Sequence, residues 1–573
     1  MKFKKIFLIL MIAGFFLSNG FSQVVNDSQL IKGNHWIYDS LEILSQETKN
    51  AIFLDTRPIS VGELKFYLSQ IDFEKLSHSG KSLYKKAESF LFTTKYIGKN
   101  SNGKIIPKES ATRLSIGLKL NPELYARTNE NVDSTITYYY KDWPITVPFI
   151  FGVAENVALE FDYLYNGKNY TSSKDQNSFT NFATDSSQRE FEYPKYAYGN
   201  IYTNQGNWGL SATFGKEGFS IGNTKLGSVI YNSTFETDFY STISTYSSNF
   251  KYNLIFSQVE RNKFLYLHNF NFILWEKLKL GLTEGCLLDG PFEAKYLNPA
   301  MILHSFYAGF KYSENDPLNR YDLDNHYCSY LGVTLDFYPI DNMRLYALWA
   351  QNELQLGGEL NSDSGKMLPD SFGLQLGIDY SLPDKYNGFY LFNIEGLYTT
   401  PYLYVKQSPD WSLIHYRIDY LGDAIVPSWI GSPFGPDTFA LTCSAIYEKP
   451  QKWSCGFEYL LTMKGEIDAN TLLKTATAKD DPNGPSYPSY YPPVENALGN
   501  LSTQDAIKKA RDISLTGIIQ YRNDFVISGE YYFSPKIKVS SEGTYSMIFN
   551  NHHVQDDFQQ GFELKLACCF NIF

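Results

Sequence analysis

The sequence predicts an all-β transmembrane barrel of about 18 antiparallel strands, preceded by a small N-terminal helical bundle. From Arg113 onward, apolar residues recur at every second position, as they do when alternate side chains of a strand face opposite sides. Aromatic residues make up 17% of the chain. Outside the N-terminus, no apolar run approaches the roughly 18 residues that a membrane helix needs. Together these observations are typical of barrels, which cross a membrane with alternating strands.

Residues 1–22 are predicted to be a signal peptide. Three lysines among the first five residues precede an apolar core at residues 6–17, and Gly20-Phe21-Ser22 forms a small-x-small cleavage site. We therefore expect the mature protein to be exported and to lie in the outer membrane.

Residues 23–110 are predicted to form a periplasmic bundle of about three helices. Trp36, Leu41 and Leu44 recur at helical spacing, and Ser60-Val61-Gly62-Glu63 is a capping box that opens a second helix. A third helix is expected from Ser79 to Leu91. Because this region precedes the first strand, we expect it at the periplasmic mouth of the barrel.

Residues 111–573 are predicted to form the barrel itself. In segments such as 157–165 and 372–380, one face is apolar and the other carries charged residues, among them Glu160, Asp162 and Asp379. These charges would be buried in the core of a soluble sandwich, whereas in a wide barrel they face a wet lumen. Allowing about 25 residues for each strand and its connection, the region holds roughly 18 strands.

The C-terminal segment, residues 560–573, is predicted to be the closing strand. Its even positions are all apolar: Phe562, Leu564, Leu566, Cys568, Phe570 and Ile572. By itself this pattern also fits a half-buried strand of a soluble sandwich. As a closing strand it would engage the barrel-assembly machinery, and the finished barrel would be surrounded by outer-membrane lipid.

Two local features leave alternatives open. Residues 468–514 form a long insertion, and long connections of bacterial barrels usually lie outside the cell. Counting hairpins back through turns near Asn551, Pro535 and Asn523 places the insertion in the periplasm instead. Cys443 and Cys455 would form a cross-strand disulfide if the turn lies at residues 448–450, but a one-residue slip separates them.

Composition and motifs argue against several classes of function. The net charge of −11 argues against nucleic acid and anionic membrane surfaces as partners. Glycines at 215–222 precede no helix, so no cofactor site is expected there. His552-His553 with Asp556-Asp557 resembles a metal cluster but is interpreted as a solvated turn. We therefore expect no metal site. His304 has no Ser or Asp partner at a readable spacing, so we do not expect an enzyme either.

Several short segments in a fixed order carry a family resemblance. They are Pro58-Ile59-Ser60 with Glu63-Leu64, Tyr193-Pro194-Lys195-Tyr196-Ala197-Tyr198, Trp208-Gly209-Leu210, Phe214-Gly215-Lys216, Phe219-Ser220-Ile221-Gly222, Gly227-Ser228, His268, Leu280-Gly281-Leu282-Thr283-Glu284-Gly285, Tyr296-Leu297-Asn298-Pro299, Leu421-Gly422, Gly435-Pro436-Asp437-Thr438 and Lys464-Gly465-Glu466. In this order, spread over nearly the whole mature chain, they resemble the Wzi-type capsule-assembly family. The chain departs from that family in its longer 468–514 connection and in Lys216, where the family often has Arg.

The resemblance implies an outer-membrane barrel of about 18 strands with a periplasmic helical bundle. It also implies a lectin-like role, in which the barrel holds capsular or other surface polysaccharide at the cell surface. The alternative from another class is a porin or substrate-specific channel with a polar lumen. A barrel enzyme is the third possibility.

A polysaccharide site needs aromatic faces for the C–H surfaces of sugars and carboxylates or amides for their hydroxyls. Predicted connections offer such residues: Asp410, Trp411, Trp429, Asp437, Tyr487, Tyr490 and Tyr491. The same tryptophans and tyrosines could instead belong to the aromatic girdle of the membrane interface.

Overall fold

The structure, a computed structural model, describes most of the chain. The described ranges are 25–92, 112–129, 143–168, 179–182, 189–192, 196–303, 326–354, 369–406, 409–418, 425–469 and 510–571, together with residues 132, 471 and 508 and the short strands Gly98–Lys99, Ile105–Ile106, Lys366–Met367 and Val494–Glu495. The predicted signal peptide lies outside these residues.

Within the described residues before the barrel, the α-helices are α1 (Trp36–Thr48), α2 (Val61–Gln70) and α3 (His78–Leu91). Each begins at a residue whose side chain accepts a hydrogen bond from the backbone of the first turn, which satisfies a donor that the helix leaves free. Ser60 caps α2 through the Glu63 N–H at 3.3 Å, as the capping box predicts. Ser77 caps α3 through the Gly80 N–H at 2.9 Å. Among the described residues, no helix is both long and apolar enough to cross a membrane.

Eighteen antiparallel strands close into a barrel, which confirms the predicted fold class. The first, β1, has three parts: Thr112–Ile116, Lys119–Leu120 and Glu123–Arg127. The others are β2 (Ile145–Val153), β3 (Val157–Lys168), β4 (Arg189–Glu192 and Ala197–Gln205), β5 (Trp208–Lys216), β6 (Phe239–Ser247), β7 (Phe250–Glu260), β8 (Lys263–Leu274), β9 (Leu278–Asp289), β10 (His326–Phe337), β11 (Met343–Glu353), β12 (Ser371–Pro383), β13 (Phe389–Thr399), β14 (Thr438–Lys449), β15 (Trp453–Lys464), β16 (Gln520–Ser534), β17 (Ile537–Phe549) and β18 (Phe558–Asn571).

The last strand closes the barrel against the first. Phe570 pairs with Leu120, and Glu563 pairs with Arg127, so β18 lies between β17 and β1. Phe562 faces outward and is 42% exposed, while its neighbour Glu563 is buried toward the lumen. The alternation of the C-terminal segment is therefore that of a barrel wall.

Alternate side chains of each strand face membrane and lumen. On β13, Tyr390, Phe392 and Ile394 are exposed on the outer surface, whereas Asn393 and Glu395 are buried inside. Similar exposed rows of aromatic and aliphatic residues continue around the outer wall. This apolar band is the surface that a membrane barrel presents to lipid, and the protein is a transmembrane β-barrel.

The two ends of the barrel differ. At one end, which we call the helix end, strands are joined by short turns at 206–207, 275–277, 384–388, 450–452 and 535–536. At the other, the loop end, the connections include 217–238, 290–325, 400–437, 465–519 and 550–557. The helices pack at the helix end, where they share a hydrophobic core with Tyr202, Tyr246, Ile273, Tyr338 and Phe389 of the barrel.

The 468–514 connection belongs to the loop end, opposite the helices. The hairpin predicted near Asn523 is wrong, because β16 runs without a break through this position. The polar run misled the sequence interpretation: Arg522 and Asp524 face the lumen and pair with each other at 2.8 Å. Asn523 lies on the other face, where its side chain accepts a hydrogen bond from the Tyr459 hydroxyl at 2.8 Å.

Cys443 and Cys455 are both free thiols. Cys443 pairs with Tyr459, and Cys455 pairs with Tyr447, because the turn between the strands lies at 450–452 rather than 448–450. This offset of four residues separates the two cysteines by about 13 Å along the strands. The alternative with a cross-strand disulfide is therefore wrong.

Candidate functional site

Two connections of the loop end fold back into the barrel and form a hydrophobic core inside it. Residues 217–238 join β5 to β6, and residues 400–437 join β13 to β14. Their members of this core are Phe219, Ile221, Leu226, Val229, Ile230, Tyr231, Phe235, Leu403, Tyr404, Val405, Leu413, Ile414, Trp429 and Ile430. The Tyr404 hydroxyl donates to the Val229 carbonyl oxygen at 2.6 Å and accepts from the Ser432 N–H at 3.0 Å. The two connections therefore pack as one unit, which we call the lumen plug.

Polar residues of the barrel wall hold the plug by its backbone. Glu395 on β13 accepts hydrogen bonds from the N–H groups of Lys225 and Leu226 at 2.8 and 2.9 Å. Gln375 on β12 accepts from the Val229 N–H at 3.0 Å and donates to the Gly227 carbonyl oxygen at 2.9 Å. An irregular backbone that is buried needs such partners, since its polar groups have lost water.

The N-terminal segment meets the plug inside the barrel. Thr56 and Arg57 pair as a short antiparallel strand with Ile221 and Ser220, and the Gly222 N–H donates to the Asp55 carbonyl oxygen at 2.7 Å. One segment from each end of the barrel thus joins the same hydrogen-bonded ladder. The described lumen is crossed by polypeptide rather than left as an open pore.

Buried ion pairs tie the N-terminal segment to the wall. Lys251 on β7 lies 2.6 Å from Glu63 of α2, and both side chains are almost fully buried. Lys279 on β9 lies 3.2 Å from Asp55 and 3.0 Å from Asp336. A buried charge is tolerated only when it is paired, so these contacts fix the position of the segment.

Two buried lysines of the barrel wall donate hydrogen bonds to the backbone of the 400–437 connection. The Lys263 ammonium on β8 donates to the carbonyl oxygens of Pro409, at 3.0 Å, and of Ile414. The Lys464 ammonium on β15 donates to the carbonyl oxygens of Phe434, at 3.3 Å, and of Pro436. Because each ammonium group donates to two carbonyl oxygens, it fixes the backbone conformation of the connection around it.

The predicted site residues have different fates. Asp410 is exposed and Trp411 is half-buried, in the one-turn helix Pro409–Trp411 that Lys263 holds. Trp429 is only 7% exposed and packs against Tyr404, with ring centroids 6.0 Å apart. Tyr487, Tyr490 and Tyr491 lie outside the described residues.

Asp437 is fully buried and organises two connections. Its carboxylate accepts from the N–H groups of Ile467 and Thr516, both at 3.0 Å. Its own N–H donates to the Thr400 carbonyl oxygen at 3.0 Å. Asp437 therefore joins the start of the 400–437 connection to both ends of the 465–519 connection, and its oxygens are engaged within the fold.

Sequence reasoning missed the residues that hold the plug. The glycines at 215–222 indicate no cofactor site, and nothing in this stretch shows that Ser220 and Ile221 pair with Arg57 and Thr56 inside the barrel. Glu395 and Gln375 carried a weak signal, as polar residues at lumen-facing positions of apolar strands. Nothing local in the sequence indicates that their partners are 169 and 146 residues away.

The described residues offer no group of three or more His, Cys, Asp or Glu side chains that could hold a metal ion. His553 lies in the tight turn that was expected, with its Nδ1 2.7 Å from the Ile518 carbonyl oxygen. His304 lies outside the described residues.

Comparison with solved structures identifies the fold. Wzi of Escherichia coli, described as a carbohydrate-binding β-barrel involved in group 1 capsule assembly, superimposes with a TM-score of 0.54 at 11% identity. The alignment covers 94% of this chain and 99% of Wzi. In fold, the chain resembles Wzi. The resemblance predicted from the sequence is confirmed at this level.

Other outer-membrane proteins align with this chain at lower TM-scores. A loop L8 deletion mutant of OmpT from Vibrio cholerae aligns with a TM-score of 0.31 at 10% identity, covering 81% of this chain and all of that one. OccAB4 of Acinetobacter baumannii aligns with a TM-score of 0.37 at 8% identity, covering 81% of this chain and 99% of that one. No family model and no curated protein sequence matches the chain.

Proposed function

We propose that this protein is a non-enzymatic outer-membrane barrel that binds capsular or other surface polysaccharide at its loop end and anchors it to the cell. The observation that carries the proposal is the polypeptide that crosses the described lumen. A porin needs a continuous water-filled path, whereas here residues 217–238 are hydrogen-bonded both to the wall and to the N-terminal segment. The loop end then acts as a surface rather than as an entrance.

The likeness to Wzi supports polysaccharide as the partner. Wzi is described as a carbohydrate-binding β-barrel, and its architecture spans nearly this whole chain. Sugar rings bind with their C–H faces against aromatic side chains and their hydroxyls against carboxylates. Trp411 and Asp410 offer both groups side by side at the loop end. Lys263 holds their backbone in place, so little conformational freedom would be lost on binding.

The mechanism is weak contact repeated many times. A long glycan carries the same sugar unit along its length, and a cell surface carries many copies of the barrel. Linked weak sites bind far more strongly than one site does, because each further contact is intramolecular. Anchoring therefore needs no deep pocket and no chemical step.

The test is surface-polysaccharide retention in a deletion strain, measured as the ratio of cell-bound to released polymer. We expect the total amount to stay unchanged while most of the polymer moves to the medium. Complementation with the wild type restores retention, and complementation with Asp410→Asn/Trp411→Ala restores it only in part.

The matched control is Trp275→Ala, which removes a tryptophan that is 80% exposed at the opposite, helix end. It should retain polymer like the wild type. Unchanged retention in the deletion strain would contradict anchoring. A steady conductance of the purified protein in a planar bilayer would favour the channel instead.

A further inference from the structure

Three lysines converge at the helix end, on the turn between β14 and β15. Lys449 is the last residue of β14, and Lys452 follows in the turn. Lys86 of α3 reaches the same turn, where its ammonium donates to the Pro450 carbonyl oxygen at 2.7 Å. The chain as a whole carries a net charge of −11, so this positive cluster runs against the overall balance.

The cluster is electrostatically unfavourable on its own. Burial and the neighbouring charges of Lys452 and Lys449 lower the pKa of Lys86, and Glu448 opposes the effect. Among the described residues, neither Lys449 nor Lys452 forms an ion pair. Like charges held together in this way favour an anion supplied from outside the protein.

An aromatic trio lies beside the lysines on the outer wall. Tyr390, Tyr447 and Trp453 pack in a row, the first pair edge to face and the second tilted, with centroid distances of 4.9 Å for each pair. The Tyr447 hydroxyl donates to the Asp384 carboxylate at 2.6 Å, which holds the row in place. Trp453 is the direct cross-strand partner of Lys449. The charged and aromatic groups therefore form one continuous surface.

This surface lies at the edge of the lipid-facing band. Tyr390 belongs to the same outward row as Phe392 and Ile394, and all three are exposed. Tyr531, opposite Trp453 on β16, is exposed as well. Amphipathic aromatic side chains at the end of an apolar band mark the level of the lipid headgroups.

We propose that this surface binds an anionic phospholipid of the leaflet at the helix end. The phosphate contacts Lys449, Lys452 and Lys86, and the acyl chains lie along Trp453 and Tyr390. The occupant is a lipid rather than a soluble anion because the lysines are continuous with the lipid-facing wall. Such a molecule adds to the counter-charge that the Asp384 and Glu448 carboxylates supply to Lys449 and Lys86, and it joins α3 to the barrel edge. The proposal does not depend on polysaccharide binding.

The experiment is native mass spectrometry of the purified full-length protein in detergent. Phosphatidylglycerol and zwitterionic phosphatidylethanolamine of equal chain length are added in turn. We expect the wild type to retain phosphatidylglycerol selectively. Lys449→Gln/Lys452→Gln should weaken that retention by about fivefold for each lysine removed, and retention of phosphatidylethanolamine should not change.

The matched control removes two lysines elsewhere at the helix end, Lys75→Gln/Lys277→Gln, and should behave as the wild type. Equal loss in this variant would mean a general charge effect and would overturn the proposal. Equal retention of both lipids by the wild type, or displacement of the lipid by inorganic phosphate alone, would overturn it too.

A second readout locates the acyl chains. Phosphatidylglycerol brominated near the headgroup should quench part of the tryptophan fluorescence of the wild type, and this part should disappear in Trp453→Phe. Quenching that is the same in both proteins would contradict the placement at Trp453.

Discussion

The Tyr404 hydroxyl donates a 2.6 Å hydrogen bond to the Val229 carbonyl oxygen, and this bond joins two connections that are 175 residues apart in the chain. Both residues are buried inside the barrel, where water cannot replace either partner. The bond therefore marks the centre of the lumen plug, and it provides the first test of the plug's contribution to stability.

Tyr404→Phe should destabilise the barrel by about 1–3 kcal/mol, because the Val229 carbonyl oxygen and the Ser432 N–H lose a buried partner. The measurement is the denaturant midpoint of the folded band in unheated gel electrophoresis. Tyr386→Phe, on an exposed turn residue, is the control and should leave the midpoint unchanged. Equal midpoints for all three proteins would mean that the plug contributes nothing to stability.

Glu395→Ala should loosen the plug and open a conducting path. The substitution leaves the part-buried N–H group of Lys225 and the buried N–H group of Leu226 without their acceptor, at a cost of about 1–3 kcal/mol for the buried group. Planar-bilayer recordings should show conductance steps in the variant and none in the wild type. Glu530→Ala removes another carboxylate of the wall, one that pairs with Lys538 rather than with the plug, and should stay silent. A silent Glu395→Ala variant would contradict this role.

Removing one partner of the Lys251–Glu63 pair should lower the free energy of unfolding more than removing both charges. Lys251→Met leaves the Glu63 carboxylate buried with only the Tyr67 hydroxyl as a side-chain donor, and we expect a loss of about 3–5 kcal/mol. Lys251→Met/Glu63→Gln removes both charges and should recover at least half of it. Urea midpoints of the purified proteins give the comparison. A double variant as unstable as the single one would show that the pairing is not the cause.

The helix end should weaken as pH falls from about 6.5 to 4. His35 caps α1 with a ring nitrogen that accepts from the Ile37 N–H at 3.3 Å. Burial, and secondarily the charge of Lys119, lower the pKa of His35 to about 4, below its ordinary value near 6.5. Between these values the unfolded state binds a proton that the folded state does not. The stabilisation is therefore complete above pH 6.5 and is lost as the pH approaches 4.

Amide hydrogen exchange of α1, measured as a function of pH, tests this expectation after correction for the intrinsic exchange rate. His35→Asn retains a capping oxygen but cannot titrate, so its protection should be flat across the same range. A wild type whose protection is equally flat would show that His35 does not control the helix.

Much of the wall could be predicted because its signal is local. The alternation of Phe562, Leu564 and Leu566 with polar residues predicts a strand. The spacing of Ser60 to Glu63 predicts the start of a helix. The hairpin near Asn523 failed for the opposite reason: a lumen tolerates charged residues inside a strand, so the polar run at 522–524 looked like a turn. The burial of individual candidate site residues could not be read from the sequence. Trp429 and Asp437 are buried, whereas Asp410 is exposed and Trp411 is half-buried.

The sequence by itself determined the barrel, its approximate strand number and its helical N-terminus, because period-two and helical patterns arise from neighbouring residues. Only the tertiary structure decided that described connections cross the lumen, which end carries the 465–519 connection, and that Cys443 and Cys455 lie apart. Those outcomes depend on register and on contacts such as Glu395 with Leu226, 169 residues apart. No local pattern predicts such a contact, because it stabilises the fold only after the barrel has closed and brought the two residues together.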